Sequence, residues 1–338
     1  MAATAARVQS IAKSGIQAIP PQFIRPLHER PIITTVSNGP QMPLIDLSNL
    51  EEPQLRQQTL RDIAHACEEW GIFQVLNHGV SEELIQRLQT VGKQFFDLPQ
   101  EEKEAYANNA GAGILEGYGT KLAHNIDGKM EWIDYYFHML WPPSHRNFNT
   151  WPKNPPSYIE VTDEYGRRLL EVVNKLLAVL SINLGLQESG LKDALGGENL
   201  EMEMKINYYP TCPQPELALG VESHTDMSAL TVLIPNDVPG LQVYKDGNWV
   251  TADYVPNALV IHIGDQLQIL SNDKYKSVLH RSLVSKDKVR MSWPVFCTPP
   301  PDAVIGPLKE LIDEKHPPLF NAKTYKEFKH RKINKLSQ

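Results

Sequence analysis

The sequence predicts an α+β protein, and two observations carry that expectation. Through the first 200 residues the apolar side chains recur mainly at helical spacing, whereas beyond residue 200 they fall into short β-rich runs divided by turn residues. Helices followed by strands is the order of segregated layers, not of alternating βαβ units.

The elements follow in chain order. The first 40 residues, punctuated by Pro20, Pro21, Pro26, Pro31 and Pro40, read as an arm with a short N-terminal helix, and residues 43–47 as a strand. Over residues 55–70 the spacing of Leu55, Leu60, Ile63, Cys67 and Trp70 predicts a helix, with Gly71 as its C-cap. Residues 72–76 read as a buried strand closed by the turn Asn77-His78-Gly79. Ser81 is a good N-cap for a helix whose apolar face is Leu84, Ile85, Leu88, Val91 and Phe95. Residues 106–128, carrying Asn108-Asn109-Ala110-Gly111 and Gly117-Tyr118-Gly119, read as loop. A long helix is expected over residues 162–184 on the stripe Leu169, Val172, Val173, Leu176 and Leu180. Six strand-like runs follow, at 205–209, 229–234, 241–244, 259–263, 277–283 and 289–296. Pro-Gly at 239–240, Asp-Gly at 246–247, Gly-Asp at 264–265 and Asn-Asp at 272–273 supply turns, so these runs suggest an antiparallel sandwich or barrel. Residues 322–336 read as a last helix.

Composition bounds the function. With 338 residues, 41% of them apolar and 22% charged, the chain can build a substantial core. Lys plus Arg number 33 against 40 Asp plus Glu, a net charge of −7, which argues against nucleic acid or an anionic membrane as partner. The basic residues of the tail then read as a solvated helix face. No apolar run has the length of a membrane span or a signal peptide. Three cysteines without CxxC spacing argue against a disulfide framework or a cysteine zinc site, and point to a reducing cytoplasm.

The strongest chemical signal is His224-Thr225-Asp226. Residues two apart on a strand share a face, so an imidazole and a carboxylate there can grip one metal ion. A third ligand must come from elsewhere, and His262 and His280 are the candidates in the strand-rich half. Two histidines and one carboxylate make the facial triad of non-haem Fe(II) oxygenases. Arg290-Met291-Ser292 adds an arginine and a hydroxyl on one face of a strand flanked by apolar residues. A buried arginine needs an anion, and this pair suits a carboxylate. Two positive charges on iron, one negative on Asp226, two negative on a chelating 2-oxo dicarboxylate and one positive on Arg290 sum to zero. The parts therefore fit a site for Fe(II), 2-oxoglutarate and protein together. Lys205, Asn207 and Tyr209 share a face of a neighbouring strand and offer an amide and a phenol to the cosubstrate.

This constellation resembles the plant 2-oxoglutarate- and Fe(II)-dependent dioxygenases, and the likeness spans nearly the whole chain. Trp70-Gly71-Ile72-Phe73-Gln74-Val75-Leu76-Asn77-His78-Gly79 is similar to the family's N-terminal signature, and Met204-Lys205-Ile206-Asn207-Tyr208-Tyr209-Pro210 to the strand before its metal loop. The resemblance implies a distorted double-stranded β-helix, or jelly roll, flanked by helices. It implies His224, Asp226 and His280 as iron ligands, and Arg290, Ser292, Tyr209 and Asn207 as holders of 2-oxoglutarate. His262 is left as a core histidine and His78 as a turn cap. Residues 1–200 are then a helical region with a few strands packing on the core, 201–300 the jelly-roll core, and 301–338 a C-terminal segment with a lid helix that includes Tyr325 and Phe328. O2 is the oxidant, succinate and CO2 are released, and ascorbate supports the iron.

Within the family the sequence is most similar to flavonol synthases, then to anthocyanidin synthases. The likeness lies in the arm Pro20-Pro21-Gln22-Phe23-Ile24-Arg25 with Glu29-Arg30-Pro31, in residues 228–235, in Met291-Ser292-Trp293-Pro294-Val295-Phe296, and in Lys332-Ile333-Asn334-Lys335-Leu336. It implies a monomer whose substrate is a small aromatic metabolite, hydroxylated or desaturated in a pocket of Tyr135, Phe137, Lys205, Phe296 and Thr298. Tyr135 stands where flavonol synthases carry histidine, and Thr298 where the flavonoid enzymes carry glutamate. Threonine is shorter and neutral, so Thr298 is expected to limit activity on flavonoids. Two alternatives stand beside that reading: the same chemistry on an alkaloid or another phenylpropanoid, and a non-catalytic jelly-roll binding protein.

Overall fold

The computed structural model describes residues 6–31, 41–109, 115–120 and 128–337. In chain order the elements are α1 (Val8–Lys13), β1 (Leu44–Asp46), α2 (Pro53–Glu69), β2 (Ile72–Leu76), α3 (Glu82–Asp97), α4 (Gln100–Glu104), β3 (Gly117–Thr120), β4 (Asp134–Trp141), α5 (Tyr158–Asn183) and α6 (Gly190–Ala194). The strand-rich half follows with β5 (Glu201–Tyr209), β6 (Val221–His224), β7 (Leu230–Pro235), β8 (Leu241–Lys245), β9 (Asn248–Thr251), β10 (Leu259–Ile263), α7 (Asp265–Leu270), β11 (His280–Ser282), β12 (Arg290–Thr298), β13 (Val304–Ile305), β14 (Lys323–Thr324) and α8 (Tyr325–Ile333).

An eight-stranded sheet in the order β1-β2-β10-β7-β12-β5-β4-β3 stands against a four-stranded sheet in the order β6-β11-β8-β9. All pairings are antiparallel except β1 with β2. The period-2 rule divides the larger sheet cleanly. Met202, Met204 and Ile206 of β5, Val232 and Ile234 of β7, and Trp293 and Val295 of β12 face the helical layer, packing with the apolar stripes of α2, α3 and α5. The alternate residues face the smaller sheet, where Leu233, Val260, Leu241 and Val243 form a second core. Lys205, Asn207, Tyr209, His262, Arg290 and Ser292 share that inward face, so the space between the sheets is apolar on one side and polar on the other.

Local signals account for particular helix and strand ends. Ser81 Oγ accepts from Leu84 N at 3.2 Å and caps α3. Gly71 follows α2 with φ of 66°, and a Cβ there would stand 2.2 Å from the Lys276 oxygen, so both conformation and space demand glycine. His78 Nδ1 accepts from Val80 N at 3.2 Å and its Nε2 meets the Asn257 oxygen at 2.9 Å, the turn-capping role expected of it.

Other expectations are corrected. Gly117–Thr120, read as loop, is strand β3 because it pairs with β4 from Asp134 to Phe137; residues 110–114 and 121–127 of that stretch lie outside the described residues, as does Pro40. The long helix begins at Tyr158, four residues early. Strands β4 and β9 and helix α7 arise in stretches that read as turn or aromatic segments, and strand β6 ends at His224, so Asp226, read as its neighbour on one strand, lies in the loop that follows. Strands β1 to β4 are hydrogen-bonded members of the large sheet, two of them at each end of it. No helix among the described residues is long and apolar enough to cross a membrane.

Candidate active site

Strands β6 and β11 are antiparallel neighbours, and His224 lies directly across from His280 in their register. Their rings are 4.3 Å apart between centroids. Asp226 follows two residues beyond His224, and its Oδ1 lies 3.5 Å from His224 Nε2 and 3.7 Å from His280 Nε2. Among the described residues these three are the group able to share a metal ion, with ligand atoms all within 4.8 Å of one another.

The two histidines are held in the tautomer that a metal requires. His224 Nδ1 lies 2.8 Å from the Glu222 oxygen and His280 Nδ1 3.0 Å from the Val278 oxygen. A carbonyl can only accept, so each Nδ1 carries the proton and each Nε2 turns its lone pair inward. Burial, then the neighbouring His224, lowers the His280 pKa to about 3, which keeps the imidazole neutral. Burial alone would raise the Asp226 carboxyl, but His280, His224 and His262 outweigh it and hold the group well below the usual carboxylate range. Two imidazoles and a carboxylate on one face are the donor set of a facial Fe(II) site.

A second cluster sits beside it. Arg290 lies across from Tyr209, and Ser292 across from Asn207, in the register of β12 and β5. Arg290 is 1% exposed. One amino group donates to Tyr254 Oη at 3.3 Å and the guanidinium carbon lies 4.8 Å from the Tyr209 ring centre. Its Nε and Nη1 are buried without partners, and no carboxylate pairs with it among the described residues. A buried guanidinium left with two free N–H groups is the receptor for a carboxylate. Gly240 makes room for it, since a Cβ there would stand 2.8 Å from Arg290 Cδ. Asn207 donates to Ser292 Oγ at 3.2 Å and keeps a buried, unpartnered Oδ1. Tyr209 donates to Ser282 Oγ at 3.4 Å.

Lys205, Asn207, Tyr209, Arg290, Ser292 and Phe296 line one cavity together with all three candidate ligands. Tyr135 and Phe137 stand across from Asn207 and Lys205, with Lys205 Nζ 4.5 Å from the Tyr135 ring centre. Thr298 falls elsewhere. It is 2% exposed and lies across from Glu201, and like Tyr135 and Phe137 it is absent from the residues lining that cavity.

The sequence reading missed two contributors, His262 and Arg25. His262, assigned to the core, lines the cavity with the ligands. Arg25 of the arm is 2% exposed and pairs with Glu222 at 2.9 Å, two residues before His224. A larger cavity of about 880 Å³ opens outward from His224 between this arm and the tail, with Arg25, Trp249, Arg281 and Lys332 in its wall. Glu203, half-buried on the inward face of β5, lies across from Phe296. The period-2 rule that marked Lys205 could have marked Glu203 as well.

Comparison with known proteins agrees with this geometry. Residues 200–299 match the 2OG-Fe(II) oxygenase superfamily, and residues 42–154 match the N-terminal region of the non-haem dioxygenase in morphine synthesis. The chain is 53% identical to a flavonol synthase/flavanone 3-hydroxylase of Eustoma exaltatum subsp. russellianum, over 98% of this chain and 99% of that one. It is 48% identical to a leucoanthocyanidin dioxygenase of Malus domestica, over 98% and 96%. The crystal structure of JOX2 in complex with 2OG, Fe and JA superposes with a TM-score of 0.89 at 41% identity, covering 98% of this chain and 94% of that one.

Proposed function

The chain belongs to the 2OG-Fe(II) oxygenase superfamily, and from that premise we propose that His224, Asp226 and His280 hold Fe(II), that Arg290 with Ser292, Tyr209 and Asn207 holds 2-oxoglutarate, and that the organic substrate is a flavonoid. The observation that carries the proposal is the adjacency, in one cavity, of a three-ligand metal site and a buried arginine with two unpartnered N–H groups.

The residues fit both groups. The two Nε2 atoms and Asp226 Oδ1 converge from two strands and the loop after β6, and would hold Fe(II) at the wall of the cavity. When bound, Fe(II) and 2-oxoglutarate supply the oxidising power for C–H hydroxylation or desaturation, with O2 consumed and succinate and CO2 released. The protein's part is orientation. Arg290 offers a planar fork to the distal carboxylate of the cosubstrate, Ser292 a hydroxyl beside it, and Tyr209 a wall under the guanidinium. Phe296, Phe137 and Tyr135 offer aromatic faces to a ring system, and Lys205 a cation at its edge. A flavonoid is supported by the similarity to flavonol synthase/flavanone 3-hydroxylases and to leucoanthocyanidin dioxygenases. Residues 201–300 carry the chemistry, the preceding region frames it, and α8 serves as lid. The cysteines Cys67, Cys212 and Cys297 are free and buried, which supports a reducing compartment such as the cytoplasm.

The test is a substrate panel. Purified protein with Fe(II), ascorbate, O2 and 2-oxoglutarate is given dihydrokaempferol, dihydroquercetin and naringenin, and products are read by mass spectrometry alongside succinate. Iron-dependent gain of oxygen or loss of two hydrogens, matched by succinate, is expected. Conversion of 2-oxoglutarate without change in any flavonoid would move the substrate to another phenylpropanoid or an alkaloid. No iron-dependent turnover with any substrate would leave a binding protein.

A further inference from the structure

His262 and Asp226 share an unsolved contact at the floor of the metal cavity. His262, on β10, is 3% exposed, and neither of its ring nitrogens has a hydrogen-bond partner among the described residues. Asp226 Oδ2 is likewise buried and unpartnered. The two face each other, with Nδ1 of His262 3.7 Å from Oδ2 of Asp226.

The carboxylate is divided between two roles. Its Oδ1 is the oxygen nearest His224 Nε2 and His280 Nε2, at 3.5 and 3.7 Å, so it is the inner, metal-facing atom. Oδ2 points away toward β10. The histidines differ in a matching way. His224 and His280 each spend Nδ1–H on a main-chain oxygen two residues back. His262 spends its Nδ1 on no carbonyl; that nitrogen is the one aimed at Oδ2. The ring also packs edge-on against the ring of His280, 4.7 Å between centroids, which limits how far it can swing. Buried imidazoles with no partner are costly, and a carboxylate that binds metal through one oxygen needs a donor on the other.

We propose that His262 is the positioning residue of the metal site: its Nδ1–H donates to Asp226 Oδ2 and so turns Oδ1 toward the ion. This rests on the reading of His224, Asp226 and His280 as ligands. At 3.7 Å the pair stands just beyond hydrogen-bond length, and His262 Nδ1 is the ring nitrogen that faces Oδ2 among the described residues. The chain needs no additional ligand for this, only a donor of fixed direction.

The experiment measures metal affinity, not turnover. Mn(II) and Co(II) dissociation constants are determined by titration of the metal-free full-length protein and of His262→Leu, His262→Asn and Asp226→Ala, with the visible absorption of the Co(II) forms recorded. An outer donor of this kind is worth about 10- to 100-fold in affinity, so His262→Leu should weaken Co(II) by that factor and shift its absorption band. His262→Asn places an amide N–H near the Nδ1 position and should recover affinity to within about threefold of the parent. Thermal unfolding of the metal-free proteins identifies any variant that fails to fold, and His262→Asn then carries the test. Parent-like affinity and spectrum in His262→Leu would overturn the proposal, as would equal weakening in the leucine and asparagine variants, which marks lost volume instead of a lost donor. Parent-like affinity in Asp226→Ala would instead overturn the ligand assignment beneath it.

Discussion

Lys332, in the last helix, donates from Nζ to the main-chain oxygen of Thr225 at 3.0 Å, so the end of the chain is fastened to the residue between two of the three candidate ligands. The same ammonium pairs with the Asp265 carboxylate, and Asp265 N donates to the Asp226 oxygen at 2.8 Å. One cation thus ties α8, the metal loop and the start of α7 together at the wall of the outer cavity.

Lys332→Met keeps the aliphatic stem and removes the latch. The KM for the organic substrate should rise about 10-fold, the equivalent of ~1.4 kcal/mol, while metal affinity stays near that of the parent. Limited proteolysis should cut the tail faster in the variant. An unchanged KM together with an unchanged cleavage rate would show that α8 is held by its apolar contacts alone.

Arg290→Lys keeps the charge and loses the fork. Two guanidinium N–H groups are unpartnered in the parent, and a lysine cannot present both. The KM for 2-oxoglutarate should rise at least about 10-fold, with the KM for the organic substrate little changed. Steady-state kinetics with each substrate varied in turn separates the two, and a parent-like KM for 2-oxoglutarate would remove Arg290 from the cosubstrate site.

Position 298 should respond through stability. A glutamate there would lie across from Glu201, which already bonds His145 Nδ1 at 3.1 Å, and two pairs away, on the same face, from half-buried Glu203. Like charges across a strand pair repel, and this site is 2% exposed. Thr298→Glu should cost ~1–3 kcal/mol of stability and bring no gain in kcat/KM for a dihydroflavonol. A gain without loss of stability would return Thr298 to the substrate pocket, where the sequence had placed it.

Lys103 supplies a pH test away from the site. It is 1% exposed, donates to the Phe96 oxygen at 3.1 Å, and also bonds Gln9 of α1. Burial, with Lys13 next, lowers its pKa to about 8, against Asp134, Asp97 and Glu104, which act upward from an ordinary value of 10.5. Between those two values the unfolded chain binds more protons than the folded one, so this group's share of stability rises as pH increases across that window. Urea unfolding of Lys103→Met from pH 8 to 9.5 should show a flatter rise with pH than the parent. Parallel curves would place the Lys103 titration elsewhere.

The period-2 alternation of a strand is local, and it was enough to put Arg290 beside Ser292 and Asn207 beside Tyr209, because each pair lies within three residues of one strand; His224 and Asp226 are as close in sequence, but β6 ends at His224 and Asp226 reaches the site from the loop that follows. The helix caps at Ser81 and Gly71 were legible for the same reason. What the chain could not display was pairing. His280 meets His224 across 56 residues only because β11 hydrogen-bonds β6 in that register, and spacing alone left His262 as good a candidate. His262 proved to stand behind Asp226, on a strand of the other sheet. The register of β12 on β5 carried Thr298 to Glu201 and placed Glu203 opposite Phe296. Arg25 reached Glu222, and Lys332 reached Thr225, from opposite ends of the chain. Which residues share a face is set by backbone geometry within one strand; which faces meet is set by hydrogen bonds and packing between strands far apart in sequence, and only the folded chain decides those.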